Sequence, residues 1–275
     1  MSSSSQAWTE NRAEGSPLLQ AREVWSAREL VGFFALRDFR VRYKQALVGV
    51  AWVVVQPLVT VAAFTLAFQR IAPVASYGVA YPVFALSGLL GWTYISQCIS
   101  RGSEILVSNP ALVSKVYFPR LVAPIASLLP PLVDLFVGLG LLAAMCAFYR
   151  TAPSASLVLL PVWLVLLLLT AVGPVLLLAA VNVRFRDVRY VVPPALQAFL
   201  FISPVAYSGT SLEGTSRFLY SLNPAAGALE LGRFVLVDGP WPGWGLGVSA
   251  ASAAVLAVVG LLYFQRAQRS FADYI

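Results

Sequence analysis

The chain contains no histidine, which removes the commonest general base and the commonest metal ligand. Neither a Ser-His-Asp nor a Cys-His nucleophile can be assembled without it. Cysteine is scarce too. Cys98 and Cys146 both sit in apolar runs, and their spacing fits no metal motif. Charge is short: 11% of residues are Asp, Glu, Lys or Arg, against roughly 25% in soluble domains. That is too little polar surface to cover a globule, so the bilayer is the expected solvent. No G-x-x-x-x-G-K-[ST] phosphate loop is present, so any energy for active work must come from another chain. The first residues, MSSSSQAWTENRAEGSP, lack an apolar h-region and read as a disordered cytoplasmic tail over 1–25, not a signal peptide.

What is abundant is apolar: 59% of the chain. Six runs approach the roughly 20 residues needed to cross a bilayer. They lie near 48–68, 81–99, 121–148, 156–181, 191–207 and 244–264. The fifth is short and holds Pro193, Pro194 and Pro204. Gly243, Gly247 and Ala251, with Ala250 and Ala254, place small residues at four-residue spacing in the last run, a pattern that favours close helix packing. No internal repeat is visible, and the membrane region reads as one domain over 26–275.

The net charge of +7 invites a nucleic-acid reading, but position explains it better. With the N-terminus placed in the cytoplasm, fifteen Lys and Arg fall inside and four outside: Arg70, Arg150, Arg217 and Arg233. This positive-inside bias predicts that both termini are cytoplasmic. Residues 26–45 precede the first run. Their first half is apolar and their second half carries Arg37, Arg40, Arg42 and Lys44, as expected of a helix lying in the headgroup layer. A charged stop before a span is the plainer reading.

Polar features interrupt the apolar pattern in three places. Residues 101–120, RGSEILVSNPALVSKVYFPR, form an island between two runs, with Ile105, Leu106, Leu112, Val113, Val116 and Tyr117 able to give a short helix an apolar side. Its expected job is to touch something in the cytoplasm. Residues 208–242 are too apolar for an exposed loop and too charged for a span. Two short helices dipping back into the outer leaflet would reconcile this, provided protein covers their ends. Asp134 is the one ionisable residue deep in a run, and follows Pro130-Pro131. A transport role and a structural hydrogen bond are both open for it. Aromatics including Trp52, Phe84, Trp92 and Tyr207 suit an interfacial belt, or a smooth wall on which sugar rings stack without being gripped.

Taken in order, the motifs resemble ABC type-2 permeases of the polysaccharide-export branch. LRDFRVRYKQALVGVAWVVVQPL at 36–58 resembles their opening signature, and YPVFALSGLLGWTYI at 81–95 their second span. NPALVSKVYFPRLVAP resembles their cytoplasmic loop, NVRFRDV at 182–188 the second cytoplasmic turn, and SPVAY at 203–207 the fifth span. LNPAAGALELGRFVLVDG at 222–239 resembles the outer re-entrant region, and FADYI the family's ending. The likeness runs from about Glu29 to the C-terminus.

The resemblance implies an all-α polytopic membrane protein: six transmembrane helices, an N-terminal interfacial helix and outer re-entrant helices. It implies a bacterial plasma (inner) membrane homodimer working with two separate ATPase subunits. Those subunits would bind ATP and Mg, leaving this chain without a cofactor. The substrate would be a lipid-linked glycan such as O-antigen, capsule or teichoic acid, moved outward. Asn109, Pro110, Lys115 and Val116 would dock on the ATPase. Arg184, Arg186 and Asp187 would form a second contact or the inner mouth. Two rivals stay open: an exporter of smaller lipid-linked or drug-like substrates, and a membrane enzyme acting on lipid-linked sugar. The enzyme would need outer acids, and Glu213, Glu230 and Asp238 are the candidates.

Overall fold

The computed structural model describes residues 29, 31–33, 36, 49–71, 76–109, 120–152, 154–209 and 212–273. The expected tail at 1–25 lies outside them. Of the expected interfacial segment, only 29, 31–33 and 36 are described, and these are helical.

Among the described residues all regular structure is helical. The elements are α1 (Gly49–Thr65), α2 (Tyr81–Glu104), α3 (Val122–Ala126), α4 (Pro130–Phe148), α5 (Leu160–Arg184), α6 (Val188–Ile202), α7 (Gly214–Ser221), α8 (Pro224–Val237) and α9 (Trp244–Ala267). A π-helical stretch, Leu66–Ile71, continues α1; 3-10 turns lead into α5 (Ala155–Leu159) and leave α9 (Gln268–Asp273). Five segments are long and apolar enough to span a membrane: Ala51–Phe68, Tyr81–Glu104, Val122–Phe148, Ala155–Arg184 and Trp244–Phe271.

The fifth expected span falls short. The run predicted at 191–207 is realised as α6, 15 residues long. At 1.5 Å per residue that is about 22 Å, against a hydrocarbon core of about 30 Å. The reason is Pro204. It forces Ser203 into extended backbone, with ψ 151°, and the helix stops there. Prolines act differently at the head of α4. Pro130 and Pro131 occupy its first helical turn, where a missing N–H does no harm. The chain bends just before them, between α3 and α4. The carbonyl of Leu128 turns outward at that bend and accepts the Tyr94 hydroxyl at 3.2 Å. Backbone polarity freed by proline is thus satisfied from a neighbouring helix.

α2 is the axis of the bundle: over three quarters of its span is buried, against 6% for α1. A helix buried on all sides needs no polar face, only small residues where neighbours come close. Gly91 admits Leu229, Gly102 admits Val175, and Gly138 of α4 admits Leu90. α5 and α9 meet backbone to backbone. A Cβ on Gly173 would lie 2.6 Å from the Leu256 carbonyl carbon, and one on Gly260 would overlap the Gly173 carbonyl oxygen. The packed stripe on α9 is therefore Gly245, Ser249, Ala253 and Gly260. The expected stripe is offset from it; Gly247 has open space around it.

The outer segment folds as the two short helices α7 and α8. α8 is buried along most of its length. It inserts beside the interior of α5: Trp163 Nε1 donates to Ala228 O at 2.9 Å, and Thr170 Oγ1 lies 3.5 Å from Pro224 O. Thr170 is about 15 Å along α5 from Leu160. α8 thus enters the bundle between the spans instead of lying across its end.

Candidate functional site

A groove of about 270 Å³ runs between α2 and α6, lined on the α2 side by Trp92, Ser96, Gln97 and Ser100, and on the α6 side by Pro193, Gln197 and their neighbours. Trp92, Ser96 and Ser100 recur every four residues and so share one face of α2. The Gln97 Oε1 is buried and has no hydrogen-bond partner among the described residues. An unsatisfied amide in a membrane span is costly. Gln97 stands in the wall of the groove, with this oxygen turned away from the open space. Sequence reading selected Trp92 and passed over Ser96, Gln97, Ser100 and Gln197. The signal was present: TYISQCIS breaks an apolar run with polar side chains at helical spacing.

The other expected path residues are dispersed. Trp52 is 58% exposed, on the outward face of α1. Phe84 is buried, with the Arg233 guanidinium 4.2 Å from its ring centroid and Tyr81 at 6.0 Å. Its faces are occupied by protein. Tyr207 closes the end of α6, donating to Phe201 O at 3.1 Å and Ile202 O at 2.8 Å. Asp134 is 7% exposed within α4 and does not line the groove.

At one end of the bundle, polar contacts tie the turns together. Asn182 Nδ2 donates to Ser103 O at 2.7 Å, joining the ends of α5 and α2. Arg120 Nη1 donates to Gln268 O, tying the start of the third span to the chain's end. Asn109, Arg184, Arg186 and Asp187 belong to this end. Asn109 folds back onto Ile105 O at 3.1 Å, Arg184 lies over the Phe185 ring at 5.1 Å, and Asp187 stands at the start of α6. Pro110, Lys115 and Val116 lie outside the described residues.

The opposite end is held by two buried arginines. Arg217 of α7 makes a two-pronged ion pair with Glu230 of α8, at 2.9 and 2.8 Å, and donates to Pro242 O at 2.8 Å. Arg233 donates to Tyr207 O at 2.8 Å and Val205 O at 2.6 Å. Gly88 makes this possible, since a Cβ there would lie 2.6 Å from both Arg233 Nη2 and Val205 O. Burial pulls the Arg233 pKa down to about 10, so its charge survives at neutral pH. The hydrogen bonds that Arg217 donates to Glu230 hold its pKa above the usual range. Of the three outer acids, Glu230 is locked in its ion pair and Asp238 accepts from Ser154 Oγ at 3.4 Å. Asp238 and Glu213 are both exposed and do not converge with Glu230, whose carboxylate is committed to Arg217.

A buried helical bundle with a polar groove between spans, and no assembled nucleophile or acid–base pair among the described residues, has the form of a membrane permease. The chain belongs to the ABC-2 type transporter family, which it matches over residues 29–237. The resemblance drawn from its motifs therefore holds. This is a multi-pass membrane protein and a transport subunit, not an enzyme, and membership implies an ABC ATPase partner. Among curated proteins it is similar to the O-antigen export system permease protein RfbA of Myxococcus xanthus. That identity is 26% over 261 residues, covering 92% of this chain and 98% of the relative. A protein of the same name from Klebsiella pneumoniae is 22% identical over 246 residues, covering 87% of this chain and 92% of the relative.

Proposed function

We propose that this chain is the membrane half of an ATP-driven exporter moving a lipid-linked polysaccharide outward across the bacterial plasma membrane. Two copies would work with two ATPase subunits, which carry the ATP and Mg, and both termini would face the cytoplasm. The basic end holding Asn109, Arg184, Arg186 and Asp187 would meet the ATPase, together with Pro110, Lys115 and Val116.

The α2–α6 groove carries this reading. It sets amides and hydroxyls beside an indole, inside spans where lipid would penalise polar atoms. A long hydrophilic chain needs a protein-walled path that binds weakly at many points, since tight binding at one point would stall it. Ser96, Gln97, Ser100 and Gln197 offer single hydrogen bonds, and Trp92 an apolar face for a sugar ring. The groove is open along one side. α1 and α6 both pack on α2 and leave apolar side chains exposed, Trp52 and Val59 on one, Phe199 and Ile202 on the other. A second copy seated on those faces would close the path. The names of the two relatives point to the same substrate class.

The test is to build Trp92→Ala and the pair Gln97→Leu/Gln197→Leu in a strain carrying the ATPase partner. Membrane abundance, partner co-purification and surface glycan are then measured. The expected result is lost surface glycan with abundance and assembly intact. Unchanged export in both variants, or loss that only tracks abundance, would return the groove to a packing defect. Surface glycan unaffected by deletion of the gene itself would favour a smaller lipid-linked or drug-like substrate.

A further inference from the structure

At the arginine-rich end, a cleft of about 350 Å³ opens between the last turns of α5 and α9 and the 3-10 turn that follows α9. Arg184 and Arg266, both exposed, line it together with Tyr263 and Ser270. No carboxylate is among the described residues that line it. Its floor is fixed. Phe271 is 1% exposed, packs edge-on to Phe264 at 5.6 Å, and lies under the Arg120 guanidinium at 5.8 Å.

The surroundings say what fits. The exposed face of α9 runs through Val255, Val259 and Leu262, and helical spacing carries it on to Arg266. Such a stripe is where acyl chains lie against the protein. At its foot the apolar face gives way to two exposed cations on the rim of the cleft, an arrangement that suits a phosphate at the edge of an apolar layer. We infer that this cleft binds the phosphate headgroup of an anionic phospholipid of the cytoplasmic leaflet, with Arg184 and Arg266 as its cationic ligands and Tyr263 at the headgroup boundary. The inference rests on the orientation given above, which turns this end toward the anionic leaflet, and it assigns the Arg184 side chain to the lipid, leaving Arg186 and Asp187 to the ATPase contact. It does not depend on the exported substrate.

The test uses the full chain with its ATPase partner, delipidated in detergent and examined by native mass spectrometry. Phosphatidylglycerol, phosphatidylcholine, inorganic phosphate and a polyprenyl diphosphate are offered separately. Wild type should retain phosphatidylglycerol and not phosphatidylcholine. Arg184→Gln with Arg266→Gln should weaken retention roughly 10- to 30-fold, the loss of two near-surface cations. Arg184→Lys with Arg266→Lys should keep most of it. Arg189→Gln, an exposed arginine outside the cleft, should leave it unchanged. The inference fails if the double Gln variant retains phosphatidylglycerol like wild type, or if Arg189→Gln weakens it equally. It fails also if inorganic phosphate displaces the lipid at equal concentration, marking a plain anion site. Preference for the polyprenyl diphosphate would assign the cleft to the exported substrate, and loss of the ATPase subunit alone would assign it to that partner. Failure in any of these ways leaves the groove experiment unaffected, since that one reads surface glycan.

Discussion

Replacing Glu230 by Gln should destabilise the packing of α7 on α8 severely. The Glu230 carboxylate accepts both prongs of Arg217, at 2.9 and 2.8 Å, with side-chain exposures of 7% for Arg217 and 3% for Glu230. A glutamine offers one acceptor where there were two, and turns an amide N–H₂ toward a donor. Arg217 then keeps at most one bond to the glutamine oxygen besides its bond to Pro242 O at 2.8 Å, and remains a buried cation without a counter-charge. Breaking a buried pair from one side costs about 3–5 kcal/mol. At about 2–4 °C per kcal/mol for a chain of this size, the melting temperature should fall by roughly 10 °C. The assay is thermal unfolding of purified protein in detergent, followed by intrinsic fluorescence. Arg217→Met combined with Glu230→Leu serves as the control. It removes both charges and fills the space with apolar atoms, so it should melt closer to wild type than either single change. A Glu230→Gln protein melting within about 2 °C of wild type would refute the reasoning, because that shift is under 1 kcal/mol. So would a double variant worse than both singles.

Two further outcomes follow from the packing and from the pKa of one arginine. Gly173→Ala should cost about 1–3 kcal/mol, because the added Cβ meets Leu256 and Ala257 backbone atoms at 2.6–2.7 Å that cannot swing aside. Gly247→Ala, in open space on the same partner helix, should be neutral or stabilising by up to about 1 kcal/mol; paired melting curves check both, and equal effects would refute the packing account. The Arg233 pKa, lowered to about 10, has a definite sign consequence. Below about pH 10 both native and unfolded chains hold that proton, so Arg233 adds no slope; above it the native chain releases first and stability rises. With no histidine to titrate, the melting temperature should be flat from about pH 6 to 9, and a clear transition centred in that window would contradict this.

The spans were legible because hydropathy over 20 residues is a collective signal that packing details barely alter. What was not legible depended on pairs. Arg217 and Glu230 stand thirteen residues apart, with the turn at Leu222 and Asn223 between them, and no local pattern announces their ion pair. The small-residue stripe of α9 was read one face away, since glycines and alanines crowd every face of that helix. Only the positions of its neighbours select the face that packs within the chain: α7 against Gly245, α8 against Ser249 and α5 against Gly260. The end of α6 was misplaced by the opposite fault. Composition carried the run to Tyr207, but one proline decided it at Ile202.

Phe84 and Trp92 show why aromatics alone do not mark a path. They lie on one helix, eight residues apart, which at 100° per residue leaves them about 80° apart around its axis. On an ordinary amphipathic helix that separation would keep both on one broad face. α2 is enclosed on nearly all sides, so a quarter turn changes the neighbour completely. Phe84 meets Arg233 of α8; Trp92 meets the groove beside α6. An aromatic in a buried helix takes its role from what stands opposite it. The better sequence signal here is the company each ring keeps. Trp92 heads a four-residue series of Ser96 and Ser100, with Gln97 alongside. Phe84 is followed at the same spacing by Gly88, the residue whose missing side chain lets Arg233 reach Val205 O. Polar side chains after a tryptophan at helical spacing describe a surface turned to something wet, whereas a glycine in that place describes a surface turned to another part of the protein.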